Sequence, residues 1–277
     1  MREFLRFSFK SREGLLSYLA MFGSCLLGLF LIHLLLLGIL KYDGDSGITE
    51  IVIYEWAGAV CAGVSLAVTG GRMLRIAVNG GTSRKSYLYG MGIVSLVFAA
   101  ISAAAIQLVY IITDLIFECF GMELDYFTHI FMVIHADYSK KINLLSPKII
   151  FFNMIVILLL VLLAYTAALI YMGLKNRVGK KTGLAAAGLL SFTYLISYAY
   201  YDIGVFRNIF AWLQYILYNI DDSILASDPA FKEYLIEPEF SYLEAVGIFV
   251  SVGLGFFAAA YLIYFLLARR APVRGRA

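Results

Sequence analysis

The sequence predicts an all-α polytopic membrane protein, one domain over residues 1–277 with six transmembrane helices and both termini cytoplasmic. Three observations lead there. Apolar types make up 62% of the 277 residues and charged types 15%, where a soluble domain carries about 45–50% and about 25%. Six predominantly apolar runs are each long enough to cross a hydrocarbon core, which takes about 20 helical residues. The basic residues collect in alternate connections between those runs. Mean hydropathy is +0.85, more apolar surface than one soluble core could bury.

The runs lie near 15–40, 51–71, 87–113, 149–174, 183–205 and 243–268. In lipid the backbone must satisfy its own hydrogen bonds, so each run is expected to be helical. Pro147, Pro229, Pro238 and Pro272 all fall outside the runs, so no span should carry a proline kink. The first run is about twice the length of a signal-peptide core and ends in no small-x-small site, and it is read as a retained anchor.

Orientation follows from counting. Arg2, Arg6, Lys10 and Arg12 precede the first run. Arg72, Arg75, Arg84 and Lys85 join the second to the third. Lys175, Arg177, Lys180 and Lys181 join the fourth to the fifth. Arg269, Arg270, Arg274 and Arg276 follow the sixth. These are 16 of the 22 basic residues, with only Glu3 and Glu13 as acids among them. The positive-inside rule places this side in the cytoplasm. Its connections are too short to fold a nucleotide-binding domain. The outer segments, 114–148 and 206–242, are longer and acidic. Ile209, Leu213, Ile216, Leu217 and Ile220 recur at helical spacing in the second, which suits a helix dipping into the bilayer or packed across the span ends.

Chemistry within the membrane is sparse. Ionisable groups at mid-bilayer mark ion and proton paths because burying them there costs at least about 2.5 kcal/mol each. His33 is the one mid-span titratable residue, and Glu55 and Asp202 sit near span ends. A lone histidine of this kind more often hydrogen-bonds a neighbouring helix. Catalytic residues and a metal site are not expected. His129 and His135 lack a nearby ligand set. Gly63-Val64-Ser65-Leu66-Ala67 lacks the second glycine and the preceding strand of a nucleophile elbow. Asp43 and Asp45 flank Gly44 as in a turn. Gly173 through Thr182 has the wrong glycine spacing, and Lys181 stands where a phosphate loop needs Ser or Thr; it reads as a basic turn. Cys25, Cys61 and Cys119 show no pairing pattern and read as small apolar fillers. A net charge of +3 is too mild to imply nucleic acid.

The connection at 72–86 carries the most information. Met73, Leu74, Ala77 and Val78 share one helical face, and Arg72, Arg75 and Asn79 another. Asn79-Gly80-Gly81 can stop that helix, and Thr82 or Ser83 can cap the next. The pattern is helix, tight turn, helix, with a basic corner. The same pattern also suits a loop held against anionic lipid.

Arg75-Ile76-Ala77-Val78-Asn79-Gly80-Gly81-Thr82-Ser83-Arg84-Lys85-Ser86, just before a glycine-rich third span, resembles the permeases of type-2 ABC exporters from Gram-positive bacteria. Asn79, Gly80, Ser83, Arg84 and Lys85 match an Asn-Gly-x-Ser-Arg-Lys-like stretch in many of them, while Gly81 and Thr82 occupy more variable positions. The resemblance implies a coupling segment, 72–86, that docks on a separate cytoplasmic ATPase subunit through Arg72, Arg75, Asn79, Gly80, Ser83, Arg84 and Lys85. It implies an amphipathic elbow helix at 2–14, where Arg2, Arg6 and Lys10 form one stripe and Phe4, Leu5 and Phe9 another. It implies a re-entrant element within 206–242, a second permease subunit, and ATP with Mg bound by the ATPase rather than by this chain. The outer segment 114–148 is longer than the resemblance leads one to expect.

Close helix packing needs small residues. Candidate packing or pathway faces are Gly247, Ser251, Gly255 and Ala259 on the sixth span, Gly58, Ala62 and Thr69 on the second, and Ser95, Ala99 and Ala103 on the third. A largely apolar pathway would suit an amphipathic peptide, a lipid-like or a hydrophobic cargo. The functional expectation is a permease subunit in a bacterial plasma membrane. Two alternatives stand beside it: a non-transporting sensor or assembly subunit, and an ion-coupled carrier.

Overall fold

The computed structural model describes Ser8 and residues 12–42, 54–119, 147–179, 181–186, 188–189 and 242–269. Every extended element among them is helical. A wide π-type turn, Arg12–Leu16, leads into α1 (Ser17–Tyr42). α2 (Tyr54–Asn79), α3 (Arg84–Cys119), α4 (Pro147–Arg177) and α5 (Tyr242–Arg269) follow. Four stretches are long and apolar enough to cross a membrane: Gly14–Ile32, Ala57–Asn79, Arg84–Thr113 and Asn153–Arg177. α5 is apolar over the shorter stretch Gly253–Arg269.

The helices follow the apolar runs but overshoot them. α2 does not end near residue 71. It continues to Asn79, so residues 72–79 are its last turns rather than a separate helix. The buried stripe explains the continuity: Ala59, Ala62, Leu66, Gly70, Met73 and Ala77 recur at three- and four-residue steps. Pro147 opens α4 at its first residue, where the missing N–H has no partner to lose. Of the predicted span at 183–205, residues 183–186 and 188–189 are helical. The rest of it, with Asp202, lies outside the described residues. So do most of the elbow 2–14, Asp43 and Asp45, and most of the outer segments 114–148 and 206–242 with His129 and His135. The side chains of His33 and Glu55 are also outside the description.

Glycine contacts set the relative directions. A Cβ on Gly63 would meet Ala164, and one on Gly70 would meet Met172, so α2 and α4 run the same way. Gly253 faces Leu159 and Gly173 faces Leu267, so α4 and α5 do too. Gly58 faces Ile106 and Gly70 faces Met91, so α3 runs against them. α4 touches α2, α3 and α5. A helix surrounded in this way has no polar face, and its sequence is apolar all round.

α1 departs from a simple upright span. Its second residue, Tyr18, hydrogen-bonds Ser102, eighteen residues into α3, or about 27 Å from the start of that helix at 1.5 Å per residue. The start of α1 therefore stands level with the middle of α3. Tyr18 decides this: its ring stacks on Phe98 at 4.3 Å between centroids, and its hydroxyl needs a polar partner once buried.

Candidate functional site

The α2–α3 connection is a hydrogen-bonded reversal four residues long. The N–H of Gly80 donates to Ile76 O at 2.8 Å, that of Gly81 to Val78 O at 3.2 Å, and that of Thr82 to Ala77 O at 2.8 Å. The last two form a Schellman pair, which satisfies carbonyls that the helix end would leave bare. The motif requires a left-handed residue, and Gly81 supplies it at φ +78°. Ser83 is the cap of α3. Its Oγ accepts from the Ser86 N–H at 3.2 Å and donates to Ser86 Oγ at 2.9 Å. Its carbonyl accepts the first helical bond, from the Tyr87 N–H, at 3.0 Å.

On this frame the two faces separate. Arg72, Arg75, Asn79, Gly80, Ser83 and Lys85 are exposed and Arg84 is half-buried. Met73 and Ala77 are buried beneath them. Tyr87, at the rear of the turn, is fully buried. It donates to Gly70 O at 3.0 Å, so its single hydrogen is committed, and Tyr264 Oη at 3.2 Å acts as donor to it. Tyr261 Oη donates to Leu88 O. Two tyrosine hydroxyls thus tie the start of α3 to α5, and one ties it to α2.

Because α2, α4 and α5 run together against α3, their basic ends gather at one end of the bundle. Arg72 and Arg75 come from α2, Arg84 and Lys85 from α3, Lys175 and Arg177 from α4, and Arg269 from α5. Lys175 lies over the Tyr171 ring, 5.4 Å from its centroid, a favourable place for a cation. The segment from Gly173 to Thr182 closes α4 there. The N–H groups of Val178 and Gly179 both donate to Leu174 O, at 2.8 and 3.2 Å.

The small-residue faces divide. Ala62, Ser95 and Ala99 are fully buried, and a Cβ on Gly58 would come within 2.8 Å of Ile106 Cδ1. Gly247, Ser251, Gly255 and Ala259 are exposed, and nothing stands within 4 Å of a Cβ placed on Gly247 or Gly255. α5 packs within the chain through Gly253, Phe257, Ala260 and Tyr264 instead. The sequence offers both stripes at comparable spacing. The larger, more adhesive aromatics lie on the second, and that side faces α3 and α4.

Sequence reasoning misses the buried polar groups. Tyr18 Oη lies 2.5 Å from both Ser102 Oγ and Tyr165 Oη, joining α1, α3 and α4. Asn153 Nδ2 donates to Gln107 Oε1 at 2.8 Å between α4 and α3. Ser65 Oγ, Ser95 Oγ and Asn153 Oδ1 are buried and lack a hydrogen-bonding partner. These groups form short polar links within a mainly apolar interior. A tyrosine inside an uncharged run is the available signal, since its hydroxyl must find a partner, but nothing in the order of residues names that partner. Among the described residues no Asp, Glu, Lys, Arg or His is buried, and no three His, Cys, Asp or Glu come together as a metal site.

Compared with protein-family models, with curated proteins and with solved structures, the chain finds no match in any of the three.

Proposed function

We propose that the chain is the membrane-spanning permease subunit of an ATP-driven ABC exporter, and that the α2–α3 turn docks on a separate ATPase subunit. One observation carries this reading: seven basic side chains from four helices meet at one end of the bundle, with the turn Asn79–Ser83 held rigid among them. A rigid, cationic projection suits transmission of a push from an acidic partner surface better than a soft loop would. The tyrosine links to α2 and α5 give that push a route into the bundle. In this reading the basic end and both termini face the cytoplasm of a bacterial cell, and the chain completes six spans. A second permease subunit, the same or related, closes the pathway. ATP and Mg belong to the ATPase, and the cargo is an amphipathic peptide or a lipid-like molecule.

Co-purification tests the reading. The wild-type chain should retain a soluble ATPase from membranes of its own cell. Arg75→Glu and Lys85→Glu, both at exposed positions, should lose it while the helical circular dichroism signal stays unchanged. If both reversals still retain the ATPase, or if none is retained by the wild type, the reading fails.

A further inference from the structure

α3 and α5 run in opposite directions, and three contacts fix their register. A Cβ on Gly92 would stand 3.0 Å from Tyr261 Cζ. Tyr261 Oη donates to Leu88 O. The rings of Tyr89 and Phe265 meet with 5.6 Å between centroids. One turn from that ring pair toward the basic end stand Lys85 on α3 and Arg269 on α5, both exposed. The two cations are therefore at one level on adjacent helices, and the axes of packed helices lie about 8–10 Å apart. The acids of these two helices, Asp114, Glu118 and Glu244, all lie near the opposite end.

Beside the cations the outer surface is apolar and open. Tyr89, Ile93 and Leu96 continue the Lys85 face at four- and three-residue steps, and Leu266 and Leu262 continue that of Arg269; all five are exposed. Tyr89 stands where charge gives way to apolar surface, the place tyrosine takes at a bilayer interface. We propose that Lys85 and Arg269 together hold the phosphate of an anionic phospholipid, whose acyl chains lie along Tyr89, Ile93 and Leu262. A free phosphate would use the cations and leave the apolar column bare. A zwitterionic lipid brings an ammonium group, and α3 and α5 carry no acid at this end to receive it. Basic pockets between membrane helices suit anionic headgroups. The inference stands on the α3–α5 contact and not on the transport reading. Lys85 is also among the proposed docking residues, so the test is read at Arg269 and Tyr89, which are not.

Tyr89→Trp, made with Trp56→Phe and Trp212→Phe, leaves one tryptophan in the full chain. The protein is placed in nanodiscs of phosphatidylcholine with a minor share of phosphatidylglycerol, and one or the other lipid carries brominated acyl chains that quench the tryptophan. Phosphatidylglycerol should be preferred at this position about tenfold. Arg269→Gln should cut the preference about fivefold, the effect of one basic side chain near a membrane surface. Arg269→Lys should keep it, and so should Arg177→Gln on α4. Native mass spectrometry of the unsubstituted chain makes the same comparison without a reporter: one phosphatidylglycerol should be retained, and Arg269→Gln should lose it. Equal quenching by the two lipids would overturn the proposal. An equal loss in Arg177→Gln would do the same, since it would mark a response to net charge alone. Displacement of the lipid by inorganic phosphate in the water would show a plain anion site and also overturn it.

Discussion

Tyr87 donates its hydroxyl hydrogen to the Gly70 carbonyl at 3.0 Å and receives one from Tyr264 at 3.2 Å. One side chain therefore joins the last turns of α2, the first turn of α3 and the final third of α5. Any displacement of the basic turn must either carry α5 with it or break this node.

The two partners of the node should not be equivalent. Tyr87→Phe removes both bonds, whereas Tyr264→Phe removes one and leaves Tyr87 still bonded to Gly70. Interhelical hydrogen bonds in membranes average about 0.6 kcal/mol and reach about 1.7. Tyr87→Phe is expected to cost about 1–2 kcal/mol and Tyr264→Phe about half that, measured by thermal unfolding in nanodiscs. Equal losses would mean that the Gly70 bond contributes nothing.

The turn itself should respond to backbone chemistry. Gly81→Ala puts a Cβ into a left-handed conformation and should cost about 1–2 kcal/mol. Gly81→Asn should cost less, since Asn tolerates that region. Ser83→Ala removes the cap of α3 at about 1 kcal/mol. Hydrogen exchange at the Ser86 amide, which Ser83 Oγ accepts, should speed up in Ser83→Ala and not in Lys85→Ala.

Small residues of the two stripes should tolerate bulk differently. Gly58→Val drives a side chain into Ile106, and overpacking of this kind costs about 1–3 kcal/mol. Gly255→Val meets open space and should leave thermal stability unchanged. Reversal of that order would show that the α5 stripe, and not Gly253 with Phe257, is the packed face.

Asn153 and Gln107 offer a test by double substitution. Asn153→Leu strands Gln107 Oε1 and should destabilise by about 1–2 kcal/mol. Replacing both with Leu removes the stranded acceptor along with the bond. The double variant should be more stable than Asn153→Leu alone, seen as a higher midpoint of unfolding. A strictly additive loss would show that the two side chains act separately.

Much of the corner is legible in the order of residues. The glycine pair after Asn79 announces a left-handed helix stop, and Thr82-Ser83 offers two caps; geometry chooses Ser83, whose Oγ reaches the Ser86 N–H. The end of α2 is harder to read because Gly70 and Gly71 look like breakers. Gly70 instead admits Met172 and Met91, each 2.8 Å from where its Cβ would stand, and the helix runs on. The packed face of α5 is not legible, because spacing alone gives a helix two candidate faces.

Sequence by itself determined the helical character of this protein, its apolar stretches long enough to cross a membrane and the place of the α2–α3 turn, because apolar run length and glycine position act locally. Only the tertiary structure decided which hydroxyl meets which: Tyr18 with Ser102 and Tyr165, and Tyr87 with Gly70 and Tyr264. Those pairings join residues well separated along the chain. They depend on helix directions, tilt and register, which are set by the summed packing of whole faces and leave no mark in a local pattern.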